Sequence, residues 1–191
     1  MAVKILSGHF KGHNIATPKD IATRPTAVLA RKMLFDMLLS NKKWGGDLSK
    51  ASIIDICAGA GVLGFEALSR GAEKLLLIES STPAINSIKN NIESLGVKAK
   101  TTLLTQKIPK AFHAIPKEFI TSDIIFADPP YHRHDLQTDI FKYIATIPLL
   151  SKDGFFILQT DPTFKLTCPL GFKVVDDRSS GNGLFWFLQL S

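Results

Sequence analysis

The chain has 191 residues and a mass of 21.0 kDa, room for one domain of ordinary size. With 45% hydrophobic and 21% charged residues, its composition excludes disordered, collagenous and low-complexity classes; its apolar runs fall far short of the roughly 20 residues of a membrane helix. The formal charge of +6 is unevenly placed: residues 1–50 hold nine Lys/Arg against three Asp/Glu, and residues 51–191 hold fourteen of each. Residues 1–12 mix Lys4, His9 and Lys11 among apolar positions, without the pattern of an export signal, so a cytoplasmic location is expected. Cys57 and Cys168 suggest neither a metal cluster nor a disulfide framework and are expected to be packing residues.

In chain order, residues 3–6 and 13–16 read as a short hairpin around Gly8 and Gly12. After Arg24-Pro25, Thr26 is placed to cap a helix whose apolar positions Val28, Leu29, Leu34, Phe35, Leu38 and Leu39 lie near helical spacing. From Ser52 the elements alternate, with strands expected at 52–57, 74–79, 100–104 and 122–127 and helices at 62–70, 83–95, 106–114 and 135–146. Gly71 and Gly96 stand just past helix ends, and Thr82-Pro83 supplies an N-cap and first-turn proline. Residues 154–160, 172–176 and 184–190 read as three more strands, the last two a hairpin. The outline is a seven-stranded, mostly parallel α/β sheet with a C-terminal antiparallel hairpin, of Rossmann-like type. The basic residues 1–50 form an N-terminal hairpin-and-helix extension that is not autonomous, and residues 51–191 a catalytic domain.

After the first strand of the alternating region comes Gly59-Ala60-Gly61-Val62-Leu63-Gly64, a G-x-G-x-x-G loop opening a helix. Twenty residues beyond Gly59, Glu79 ends the next strand, where a carboxylate can accept hydrogen bonds from both ribose hydroxyls of an adenosine. Two adenosine cofactors compete: a nicotinamide dinucleotide and S-adenosylmethionine. Asp55 favours the second, because a carboxylate just upstream of the loop repels pyrophosphate and suits an ammonium and a sulfonium. The alternative role for Asp55 is structural, bonded to loop N–H groups. Cys57, Ala58, Gly59 and Gly61 complete the expected cofactor contacts.

The fourth strand runs into Asp128-Pro129-Pro130-Tyr131, the most specific signal in the chain. Successive prolines force the backbone out of the sheet in extended form, so the Asp128 carboxylate and Pro129 carbonyl provide two acceptors beside the Tyr131 ring. Two acceptors and an aromatic face match an exocyclic amine on a purine, whose two hydrogens are held while the nitrogen lone pair points at a methyl donor. Such a base must be flipped out or single-stranded. His132, Arg133 and His134 leave two readings open, phosphate contact or ordinary loop. No partner ligands accompany these histidines, so no metal is expected. Phe185-Trp186-Phe187 reads as a two-sided core strand.

With these residues in place, the chain resembles the RsmD family of S-adenosylmethionine-dependent guanine-N2 methyltransferases of small-subunit ribosomal RNA. The resemblance covers Ile5-Leu6-Ser7-Gly8-His9-Phe10-Lys11-Gly12, Thr23-Arg24-Pro25-Thr26, the run from Asp55 to Gly64, Glu66 to Ala72, Leu77-Ile78-Glu79 and Asp128 to Tyr131. It implies a small-subunit rRNA substrate, either naked or presented on an assembled ribosomal subunit, and an N-terminal extension that holds RNA, for which Lys11, Arg24, Thr26 and Arg31 are the candidates; a monomer is expected. Three departures stand out: Ser80-Ser81 follows Glu79 where the family often has a second acid, the family's polar residue for the adenine amino group has no clear counterpart and Gln106 is the candidate for it, and Tyr131 replaces the more usual phenylalanine. The tyrosine form is frequent in adenine-N6 DNA methyltransferases, which keeps that activity as the alternative. A non-catalytic RNA-binding assembly factor is the alternative of another class.

Overall fold

Strands that are apolar at nearly every position are stable only when both faces of their sheet are covered. Ser52–Ile56 (β3), Lys74–Ile78 (β4) and Ser122–Ala127 (β6) are of this kind, and they occupy the middle of the sheet. The computed structural model describes residues 2–18, 28–41, 43, 46–130, 133–180 and 183–191. Ala2–Lys4 (β1) and Asn14–Ala16 (β2) pair antiparallel as a separate hairpin, followed by the helix Val28–Ser40 (α1). The main sheet has the order β5-β4-β3-β6-β7-β9-β8, with Thr101–Leu104 as β5, Leu150–Thr160 as β7, Phe172–Ser180 as β8 and Gly183–Leu190 as β9. β9 runs antiparallel to both its neighbours, and the pairs among β3 to β7 are parallel. This is the seven-stranded, mostly parallel Rossmann-like sheet with a C-terminal antiparallel hairpin expected from the alternating pattern.

Helices cover both faces. α1, Val62–Ser69 (α2) and Thr82–Leu95 (α3) pack with Ile5 and Ile15 of the hairpin region against one side; Lys110–His113 (α4) and His134–Thr146 (α5) pack against the other. Phe185 and Phe187 enter the first core while Trp186 packs against the second, so the aromatic run is a two-sided core strand. Three local expectations are corrected. The helix expected at 106–114 keeps only residues 110–113, because Pro109 has no N–H to donate and disfavours helical backbone before it. The N-cap of α3 is Ser81, with Thr82 already helical. Cys168 is exposed, its thiol donating to the Phe172 carbonyl at 3.2 Å, so it is not a packing residue.

A buried ionic cluster fastens the N-terminal hairpin to α2. Glu66, fully buried, accepts from the Leu6 and Ser7 N–H groups at 2.8 and 3.1 Å and from Arg70 Nε at 2.9 Å, and lies 3.6 Å from Arg31. Arg31 also donates to the Lys4 carbonyl at 3.0 Å. Gly8 lies against the end of α2 with φ +84°, and a Cβ there would fall 1.7 Å from the Ser69 carbonyl oxygen, so only glycine fits.

Candidate active site

In an open α/β sheet the crevice for ligands forms where successive connections diverge from neighbouring strands. Here that point is between β3 and β6: the chain leaves β3 toward β4 on one side, while β6 lies on the other. The glycine loop and the Asp128 loop therefore emerge side by side, and the Asp128 N–H continues the ladder to the Ile56 carbonyl at 3.3 Å. The strand register brings the three predicted carboxylates to this edge, Glu79 and Asp128 each one residue beyond the partners of Ile56.

The glycine loop is held from below by hydrogen bonds. Asp55, 2% exposed, accepts from the Gly64 N–H at 3.0 Å at the start of α2. Burial pushes its carboxyl up to about 7, opposed by the Gly64 bond and reinforced by Asp128 and Glu79. Glu79 accepts from the Gly59 N–H at 2.8 Å through one oxygen and from the Ser80 and Ser81 N–H groups at 2.7 and 2.8 Å through the other. Gly61 has φ +78°, and a Cβ on it would meet the Phe65 ring at 2.6 Å. A Cβ on Gly64 would meet Leu75 at 2.7 Å, which makes this glycine the contact between α2 and the sheet. Cys57 opens the loop with φ 59°, a strained value for a residue with a side chain, and burial pushes its thiol upward.

One observation fits the site to S-adenosylmethionine rather than to a dinucleotide. Nothing among the described residues lies within 4 Å of where a Cβ on Gly59 would stand, which leaves open space for either cofactor. Carboxylates at the ends of three neighbouring strands favour a cation and oppose a pyrophosphate.

The other predicted site residues divide into groups. Cys57, Ala58, Gly59 and Gly61 are brought to the crevice with Asp55 and Glu79. Gln106 lies in an exposed turn after β5, next to the edge where the Leu104 carbonyl accepts from the Glu79 N–H at 3.1 Å. Pro129 is buried and Pro130 exposed; Tyr131 and His132 lie outside the described residues. Arg133 is bound to Asp135 at 2.7 Å. Lys11 is exposed on the loop of the N-terminal hairpin, whereas Arg24 and Thr26 lie outside the described residues. Arg31 is a correction: it is fully buried and placed to neutralise Glu66, so it presents no charge to RNA. Sequence reasoning also missed Asn91. It is 1% exposed on α3 and donates to the Ala60 carbonyl in the glycine loop at 3.1 Å. Its signal was a polar residue within the helical stripe Ala84, Ile88, Asn91, Leu95.

The family model "Conserved hypothetical protein 95" matches residues 3–189. YlbH of Bacillus subtilis is 28% identical over 178 residues, 93% of each chain. "Ribosomal RNA small subunit methyltransferase D" of Buchnera aphidicola subsp. Acyrthosiphon pisum is 33% identical over 167 residues, 87% of this chain and 82% of that one. The solved structure of yhhF from Escherichia coli superposes with a TM-score of 0.81 at 22% identity, covering 100% of this chain and 98% of that one, a likeness of fold. On sequence and architecture together, the chain belongs to the conserved hypothetical protein 95 family, the RsmD methyltransferases.

Proposed function

We propose that this protein transfers a methyl group from S-adenosylmethionine to the exocyclic N2 amine of a guanine in small-subunit ribosomal RNA. The observation that carries the reading is that Asp55, Glu79 and Asp128 stand at the C-terminal ends of the neighbouring strands β3, β4 and β6, beside the glycine loop. Bound there, S-adenosylmethionine supplies an electrophilic methyl on a cationic sulfur. Glu79 is the acceptor for its ribose hydroxyls, and Asp55 supplies negative charge toward its amino-acid end. Cys57 and Ala58 line the entry to the cradle at Gly59 and Gly61, and Gln106 is the candidate for the adenine amino group.

Asp128 and the Pro129 carbonyl accept the two hydrogens of the target amine, which reduces conjugation of its lone pair with the ring. As the N–C bond forms and the C–S bond breaks, the nitrogen becomes cationic and its surplus proton leaves through Asp128 or water. Pro130 keeps the loop extended, and Tyr131 offers the face on which the flipped base stacks. The relatives' names support a ribosomal RNA substrate, and Lys11, Arg24 and Thr26 of the basic extension are the RNA contacts we assign. We read residues 1–50 as this RNA-holding extension and residues 51–191 as the catalytic domain, acting as a monomer on an assembled ribosomal subunit in the cytoplasm. Tyr131 favours adenine-N6 methylation of DNA as the second reading. Incubation with isotope-labelled S-adenosylmethionine and small ribosomal subunits lacking the modification, with DNA in parallel, decides between them. Labelled N2-methylguanosine in RNA is expected; labelled N6-methyladenine confined to DNA would replace this reading with the second.

A further inference from the structure

One buried side chain touches both the cofactor loop and the N-terminal extension. Asn91 lies on α3, 1% exposed, and uses every hydrogen-bonding group it has. Its Oδ1 accepts from the Ala16 N–H at 2.8 Å, and its Nδ2 donates to the Ala16 carbonyl at 3.0 Å and to the Ala60 carbonyl at 3.1 Å. Ala16 is the last residue of β2, and in sequence the chain continues from it toward Lys19 and Arg24 of the basic segment. Ala60 stands between Gly59 and Gly61, the two glycines of the cofactor cradle. Both amide hydrogens are committed on a side chain that is itself buried, so a shift of either backbone segment leaves a buried donor unpaired. That penalty resists independent movement of the two.

We propose that Asn91 is a positioning residue for both substrates at once, setting the glycine loop for the methyl donor and the exit of β2 for the RNA-binding segment. The inference rests on the RNA methyltransferase reading above and adds a specific link between its two binding events. It also distinguishes Asn91 from the other anchors of the hairpin. Ser69 accepts from the Phe10 N–H at 2.9 Å and donates to the Ser7 carbonyl; among the described residues its hydroxyl makes no bond to the glycine loop.

The test compares the native chain with Asn91→Asp, Asn91→Ala and Ser69→Ala, using labelled S-adenosylmethionine, small-subunit ribosomal RNA and thermal unfolding of each. Asn91→Ala removes both donors without adding charge, whereas Asn91→Asp keeps the shape and the acceptor for the Ala16 N–H but turns an oxygen toward the Ala16 and Ala60 carbonyls, so the two variants break the link in different ways. Both Asn91 variants are expected to raise KM for donor and for RNA by about tenfold, the equivalent of one buried hydrogen bond, with kcat at saturation within about threefold of native. Ser69→Ala is expected to raise KM for RNA alone. Unchanged donor KM in both Asn91 variants would overturn the proposal while leaving the methyltransferase reading intact. So would an equal rise of donor KM in Ser69→Ala, since general loosening would then explain the effect. Failure of both Asn91→Ala and Asn91→Asp to fold would overturn it as well, making the residue a folding determinant. If the native chain neither binds donor nor transfers label, the functional reading fails and the proposal with it.

Discussion

Asp55 carries an electrostatic consequence that is open to measurement. Burial pushes its carboxyl up to about 7, more strongly than the Gly64 N–H draws it down. In the donor-free protein it is largely protonated at pH 6, whereas a cationic donor binds the ionised form better. Donor affinity should therefore rise from about pH 6 to about pH 8, by up to about tenfold per unit below the midpoint, and Asp55→Asn should flatten the dependence. Calorimetric titration of S-adenosylmethionine across this range checks it; a flat profile in the native protein would remove Asp55 from the donor site. The stability term has the opposite sign. The folded state holds a proton that the unfolded chain releases near 4, so the donor-free protein loses stability as pH rises from about 4 to about 7 and levels off above. At this scale, residues tied to strand ends were legible: Asp55, Glu79 and Asp128 each sit at or beside the C-terminal end of a parallel strand, which topology sends to one edge. Arg31 was not, because a lone cation on a helix looks alike whether it faces solvent or a buried acid. Its partner Glu66 is far along the chain and became visible only when the helices packed.

Helix α2 serves the cofactor loop at its N-terminus and the hairpin at its C-terminal end. Gly61→Ala would force a left-handed backbone and press a methyl onto Phe65, so we expect a loss of about 1–3 kcal/mol, read by urea unfolding, together with weakened donor binding. Glu66→Ala would leave Arg31 buried without its carboxylate and two backbone N–H groups without an acceptor. Loss of one partner from a buried ion cluster costs about 3–5 kcal/mol, and a thermal shift of the variant matching a surface mutation would contradict the account of the hairpin's attachment. The alternation of apolar strands and amphipathic helices made most elements legible. Errors arose where a local rule outweighed periodicity, as at Pro109, or where pairing extended a strand. β7 starts at Leu150 rather than 154 because Ser122 pairs with Leu150 ahead of a register shift.

For the molecule as a whole, the extension that carries the excess of positive charge is also part of the core. Ile5 and Ile15 are buried to 2% and 0% exposure, so deleting residues 1–24 removes two core side chains as well as charge. At about 2–5 kcal/mol per large core side chain lost, set against a total stability of about 5–15 kcal/mol, the truncated chain should unfold rather than report on RNA binding. A charge change is the cleaner probe. Lys11→Ala should reduce the slope of log affinity against log salt by about one, and an unchanged slope would return that residue to a merely solvated role. The division between extension and sheet was visible in charge and motif, but the contacts joining them are distant in sequence, with separations of 60 residues for Leu6 to Glu66 and 75 for Ala16 to Asn91, and have no periodic signature. The central claim is that the crevice between β3 and β6 presents an amine to a bound methyl donor through Asp128. Its most direct test is Asp128→Ala, measured for S-adenosylhomocysteine binding and for label transfer to small ribosomal subunits. The account predicts binding within about threefold of native and transfer reduced by about a hundredfold or more. Undiminished transfer in a variant that binds the donor product normally would contradict it.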